Sequence, residues 1–149
     1  MPFQTKITRA RFVYSPFSSE QMQSIGGVML DTVWSRIANG LNCNDAPAKA
    51  LRPGRNGKKG YPERKAGHGL PSIRDLFYIG RTKRSTAVIS ANEHRVVIGP
   101  VDSRTDLVLS ENNRREKQWG MSPKDYGILS RLVLAVLKQA RLVSVRKAA

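Results

Sequence analysis

One cysteine, two histidines and eleven acidic residues are few for a chain of 149 residues. A lone Cys43 cannot close an internal disulfide, so a disulfide-stapled secreted scaffold is not expected and assembly in a reducing cytosol is. Cys43 follows a helix end and reads as an incidental small residue rather than a nucleophile. His68, His94 and Cys43 do not have the spacing of a metal site, so no metal is expected. Asp102, Asp106, Glu111 and Glu116 are scattered over polar segments, and nothing in their pattern gathers a pair for general acid–base work. The expectation is a protein that is not an enzyme and uses no cofactor. No apolar run approaches the roughly 18 residues of a membrane span, so no membrane partner is expected. The start, MPFQTKITRARF, lacks the apolar stretch of a secretory signal.

What the chain has in excess is positive charge. Lys and Arg number 26, for a net charge of +15. The densest part is NCNDAPAKALRPGRNGKKGYPERKAGHGLP, Asn42 to Pro71, rich in Pro and Gly and without hydrophobic periodicity. The window from Ala46 to Arg84 holds eleven Lys or Arg against Glu63 and Asp75. Such a segment cannot bury enough apolar surface to fold alone, and it reads as a flexible basic loop over residues 42–71. GRNGKKG (54–60) resembles a phosphate loop only superficially. It lacks the four-residue gap between glycines and the Ser or Thr after the lysine.

The rest reads as a single domain over 1–149. Residues 1–17, with partial alternation over 3–14, form an edge strand or an extended arm. Ser18 or Ser19 caps a helix in which Met22, Ile25, Met29, Val33, Ile37 and Leu41 recur on one face, and Asn39–Gly40 stops it. Gly26 and Gly27 leave room for another backbone to approach. Ser72–Leu76 is helix-compatible, and Gly80 ends the apolar run behind it. A hairpin follows: Thr86–Ser90, an ANEH turn and Arg95–Gly99, with Val96, Val97 and Ile98 dense enough to be buried on both sides. Pro100 ends that strand. Residues 102–118 are polar, with Ser110–Asn113 read as a turn, although a short helix is compatible. Ser122, Pro123 and Asp125 open a last helix so apolar that burial on more than one side is expected. A basic tail follows over 142–149. The fold class is therefore α+β: a long N-terminal helix and an apolar C-terminal helix on a small antiparallel sheet, with the basic loop between the first helix and the sheet.

Lys49, Arg52, Arg55, Lys58, Lys59, Arg64 and Lys65 are the candidate contact residues of the loop. They suit nucleic acid phosphates or an acidic protein surface. Tyr61 alone is interleaved as a stacking aromatic, which gives base recognition little support. Trp34 and Trp119 are read first as core residues, with interface anchoring as the second reading.

Leu76 with Gly80, the Ile98–Gly99 strand end and the Ser122-to-Asp125 cap before an apolar helix form an ordered pattern. It resembles the neck and tail-completion (head–tail joining) proteins of tailed bacteriophages and related virion-morphogenesis proteins, over about residues 20–140. The Arg–Pro–Phe type element of those families is replaced here by Arg114–Arg115 and Trp119–Gly120–Met121. The resemblance implies a structural virion protein, assembled in the host cytoplasm as a ring of copies of itself. Its partners would be portal or adaptor and tail proteins, and DNA in the channel. The alternative from charge and size is a nucleic-acid-binding module, such as a ribosomal-type RNA-binding protein.

Overall fold

A computed structural model describes residues 10–11, 17–70, 76 and 80–147, without the side chains of 10, 11 and 140–147. Among these the chain is α+β, with five helices and a small antiparallel sheet. Helix α1, Ser19–Ala38, begins at Ser18, whose Oγ accepts from the Gln21 amide while the Gln21 side chain accepts from the Ser18 amide. This reciprocal cap satisfies two of the amides that a helix start leaves unpaired. Met22, Ile25, Met29, Val33 and Ile37 are all buried, as their spacing requires. Leu41 falls beyond the helix and is half-buried.

The hairpin of β2, Thr86–Asn92, and β3, Arg95–Pro100, turns at Glu93–His94, within the ANEH turn the sequence suggests, and β2 runs two residues further into it. β3 is central, with β2 on one side and the two-residue β1, Ala10–Arg11, antiparallel on the other. An edge strand is thus present at 10–11, while 1–9 and 12–16 lie outside the described residues. Val96, Val97 and Ile98 are buried, as expected of a central strand. β2 departs from simple alternation because its pairing skips Ile89: Val88 faces Ile98 and Ser90 faces Val97. The extra residue is a bulge that resets the inward phase, so Val88 and Ala91 pack on the core while Ile89 is exposed.

Helix α1 lies across this hairpin. Gly26 sits at the crossing, where an added Cβ would come within 2.6 Å of Val96 Cγ2 and 2.8 Å of Val88 Cγ2. What approaches Gly26 is therefore the side chains of the sheet, not another backbone, and Gly27 faces open space.

Three regions correct the sequence reading. First, residues 102–118 contain a helix of 13 residues, α4, Ser103–Arg115, capped by Asp102 through the Thr105 amide at 2.8 Å. Leu109 is fully buried, and the supposed turn residues Ser110–Asn113 are helical. Asn113 faces the chain that follows, accepting from the amides of Gln118 and Trp119 and donating to the Trp119 carbonyl. A turn-like composition here serves the exit from the helix rather than interrupting it.

Second, helix α5, Pro123–Lys147, runs through most of the region read as a basic tail. Its cap is as expected: Ser122 Oγ accepts from the Asp125 amide, and Asp125 Oδ2 accepts from the Ser122 amide. The helix packs mainly on α1 and is not enclosed on several sides. Leu129 is buried and Leu132, Val133, Val136 and Leu137 are half-buried, whereas Tyr126, Ile128 and Leu134 are 46%, 41% and 56% exposed. At 100° per residue, Ile128 flanks the covered stripe on one side and Leu134 on the other, while Tyr126 falls within the arc of the stripe but in the first turn of the helix.

Third, the segment read as a flexible loop has local structure. Residues 42–48 fold back in a tight turn: the Asn42 amide donates to the Ala46 carbonyl, and Asn42 Oδ1 accepts from the amides of Asn44 and Ala46. The Cys43 amide donates to the Lys117 carbonyl, tying this turn to the far end of the chain. A short helix, α2, Tyr61–Ala66, follows, with Pro62 in its first turn. Residues 54–60 close on themselves. Gly54 and Gly60 approach so closely that a Cβ on Gly54 would run into the Lys58 carbonyl. Residues 71–75 and 77–79, including most of the helix-compatible stretch from Ser72, lie outside the described residues. Gly80 takes a left-handed conformation, φ 70°, before the one-turn helix α3, Arg81–Arg84.

Both tryptophans belong to the core. Trp34 and Trp119 are buried, with ring centroids 5.6 Å apart and planes tilted by 55°. Trp34 Nε1 donates to Thr86 Oγ1 at 2.8 Å. Neither ring is presented to solvent, so they do not serve this face of the chain as interface anchors.

Candidate functional site: a cationic groove

Hydrogen bonds from outside the basic segment hold it against α4. Glu116, just past that helix, accepts from the Lys49 amide at 2.9 Å and from Asn42 Nδ2 at 3.1 Å. Further on, Glu63 Oε1 accepts from the Gly54 amide at 3.0 Å, and this bond leads in holding the carboxyl below its ordinary value. The stretch is thereby tied to the end of α4 at Lys49 and closed on itself between Gly54 and Glu63. Opposite it stand α4 and the start of α3.

Between them lies a groove of about 880 Å³. One wall is Lys49, Ala50, Leu51, Arg52 and Tyr61. The other is a stripe of α4 comprising Arg104, Val108, Asn112 and Arg115, whose spacing of four, four and three puts them on one helix face. Arg81 and Thr82 close one end, and buried Leu76 and Thr105 lie in the lining. Among the described residues, five cations, Lys49, Arg52, Arg81, Arg104 and Arg115, are in this lining and no acid is. All five are exposed, and among the described residues none of them forms an ion pair. Arg81 also acts on Asp102, whose carboxyl is held below its ordinary value first by the Thr105 amide and, as a lesser effect, by Arg81. A concave surface with one sign of charge and no internal counter-charge concentrates the field on whatever enters it.

Of the seven loop cations expected to meet a partner, Lys49 and Arg52 line the groove. Arg55, Lys58, Lys59 and Arg64 are exposed outside it. Lys65 is a correction: it is fully buried, with Nζ 6.0 Å from the Tyr61 ring centroid, and is not available to a partner. The α-helical fold of 61–66 turns it inward, which a reading of the segment as loop could not foresee. Arg81, Arg104 and Arg115 were missed because they lie on α3 and α4. The spacing of Arg104, Val108, Asn112 and Arg115 was the available signal, and it becomes visible only once 103–115 is read as a helix.

A second polar cluster is structural. Arg36 is buried, and its Nε donates to Asp125 Oδ2 at 2.8 Å. Its other nitrogens donate to the carbonyls of Leu41, Gln118 and Gly120 at 3.0, 2.9 and 2.6 Å. One side chain thus joins α1, the 41–45 turn and the entry to α5. Burial pushes the Cys43 thiol up despite Arg36 beside it, which suits the incidental role assigned to it. Next to this knot, Asp45 accepts from Ser122 Oγ at 2.7 Å and from the Lys124 amide. Partial desolvation acts to raise the Asp45 pKa, but these bonds outweigh it and the net shift is downward.

Among the described residues no group of three or more His, Cys, Asp or Glu is placed to hold a metal ion, and no helix is long and apolar enough to cross a membrane. Comparison of the chain with protein-family models, with curated proteins and with solved structures finds no match.

Proposed function

We propose that this chain is a non-catalytic assembly subunit of the virion of a tailed phage, a ring-forming neck or tail-completion protein that joins the head, at its portal or adaptor, to the tail. The observation that carries this reading is helix α5, whose apolar arc is wider than α1 covers, with Ile128 and Leu134 left exposed on its two flanks and Tyr126 exposed in its first turn. A second copy is the occupant this reading assigns to those flanks, since in a ring each subunit meets the next through two different patches. The order of long capped helix, basic segment, hairpin and capped apolar helix agrees with the resemblance drawn from the sequence. Size-exclusion chromatography with light scattering, followed by negative-stain microscopy, tests it. Closed rings, lost on Ile128→Asp with Leu134→Asp, are expected. A chain that stays monomeric at every concentration, and does not co-purify with portal or tail proteins when expressed beside them, would refute it.

A nucleic-acid-binding module, such as a ribosomal-type RNA-binding protein, is the second reading, favoured by the five exposed cations of the groove. It predicts a monomer whose affinity for RNA falls steeply as salt rises.

A further inference from the structure

We infer that the cationic groove is a docking site for a short extended segment of a partner protein in which acidic residues alternate with aliphatic ones. The inference does not depend on ring formation, because no described residue of α5 lines the groove.

The lining chemistry is of two kinds. Leu51 and Val108 are half-buried and Leu76 is buried, so the groove has an apolar component, while the five cations are exposed around it. An extended peptide has the same two-fold character. Its side chains point alternately to opposite sides, so aliphatic residues can meet Leu51, Leu76 and Val108 while the acidic ones reach the arginines. The dimensions agree. Arg104 and Arg115 are eleven positions apart on α4, about 16 Å at 1.5 Å per residue. That is the span of about five extended residues.

Nucleic acid fits the same surface less well. A duplex presents a broad convex backbone, with a major groove alone about 12 Å wide, which cannot enter a recess of about 880 Å³. A single strand would need a series of stacking aromatics, and Tyr61 is the one aromatic among the described lining residues. A second copy of the chain cannot supply the occupant either. Its eleven acids are dispersed, with no two adjacent and none alternating with aliphatic residues along a run. The counter-charge must therefore come from a different protein.

The test is fluorescence polarisation with the full chain at moderate salt. The probe is a labelled peptide carrying about five alternating Glu and Leu residues between Gly-Ser flanks. Controls are the Gln-for-Glu peptide, oligoglutamate and a labelled single-stranded oligonucleotide. Saturable binding to the Glu-Leu peptide is expected, weakened at least about tenfold for the Gln peptide and for Arg104→Glu with Arg115→Glu. Val108→Ser should weaken the Glu-Leu peptide but leave oligoglutamate unchanged. Should the α4 double variant fail to fold by circular dichroism, Lys49→Glu with Arg52→Glu makes the same measurement from the opposite wall. Tighter binding of the oligonucleotide than of the peptide, equal binding of oligoglutamate and the Glu-Leu peptide, or peptide binding indifferent to both charge reversals would each overturn the inference.

Discussion

Arg36→Met removes the one side chain that holds three separated segments together. Arg36 and Asp125 are each only 4% exposed at the side chain, so solvent screens their interaction little. Methionine keeps much of the volume and the helix propensity, leaving charge and hydrogen bonding as what changes. Asp125 would remain buried without its cationic partner, with the Ser122 amide still bonded to the same oxygen. The carbonyls of Leu41, Gln118 and Gly120 would lose a charged donor. Removing one partner of a buried ion pair costs about 3–5 kcal/mol. With a urea dependence of about 2 kcal/mol per molar, the unfolding midpoint should fall by about 2 M. Fluorescence of Trp34 and Trp119 is the readout, since both rings are buried and in contact. Adding Asp125→Asn removes the stranded charge, so the double variant should be less destabilised than the sum of the two single ones. A loss below about 1 kcal/mol for Arg36→Met, or strict additivity, would show that this cluster does not pin the 41–45 turn to the start of α5.

The adjacent glycines of α1 should respond oppositely. Gly26→Ala meets Val96 and Val88 and should cost about 1–3 kcal/mol, while Gly27→Ala enters open space and should stabilise by about 0.5–1 kcal/mol, both by urea titration. Asp45 and Asp102 have folded pKa values below the ordinary 3.8, so their contribution is present above that value and is lost as pH falls through it toward the folded values. Asp45→Asn with Asp102→Asn should therefore flatten the acid limb of stability against pH, and an unchanged limb would contradict the assignment. Replacing Arg55, Lys58 and Lys59 together with Ala should shift stability by no more than about 0.5 kcal/mol, because all three are exposed and lie outside the groove.

The elements legible in the sequence are those whose signals are local. Ser18 and Ser122 announce their helices within one turn, and the apolar runs of α1 and β3 report which faces are buried. Helix α4 was not legible as a helix because few of its side chains reach the core. Thr105 and Leu109 are buried, Leu107 is exposed, and the asparagines that resemble a turn are bonding to the chain beyond. The ordering of 42–66 was hidden for a different reason. Its anchors, Glu116 for Lys49 and Lys117 for Cys43, lie some seventy residues away, and no local pattern reports them. The groove was visible on the side that carries Lys49 and Arg52. Its opposite wall depends on α4, in a region whose polar composition reads as a turn, with a short helix compatible.

The net charge of +15 joins the two proposed surfaces in one measurable way. Copies brought together through α5 must overcome mutual repulsion, which salt screens over about 8 Å at physiological ionic strength. Apolar burial by Ile128 and Leu134 is not weakened by that screening. Ring formation should therefore strengthen as sodium chloride rises toward about 0.5 M, while capture of the acidic peptide in the groove should weaken over the same range. A peptide that neutralises the groove cations also lowers the repulsion between copies, so saturating peptide should promote assembly most at low salt. Light scattering across a salt series, with and without the Glu-Leu peptide, reads both effects in one sample. Assembly that weakens with salt would mean that charge pairing, not the exposed flanks of α5, holds the copies together.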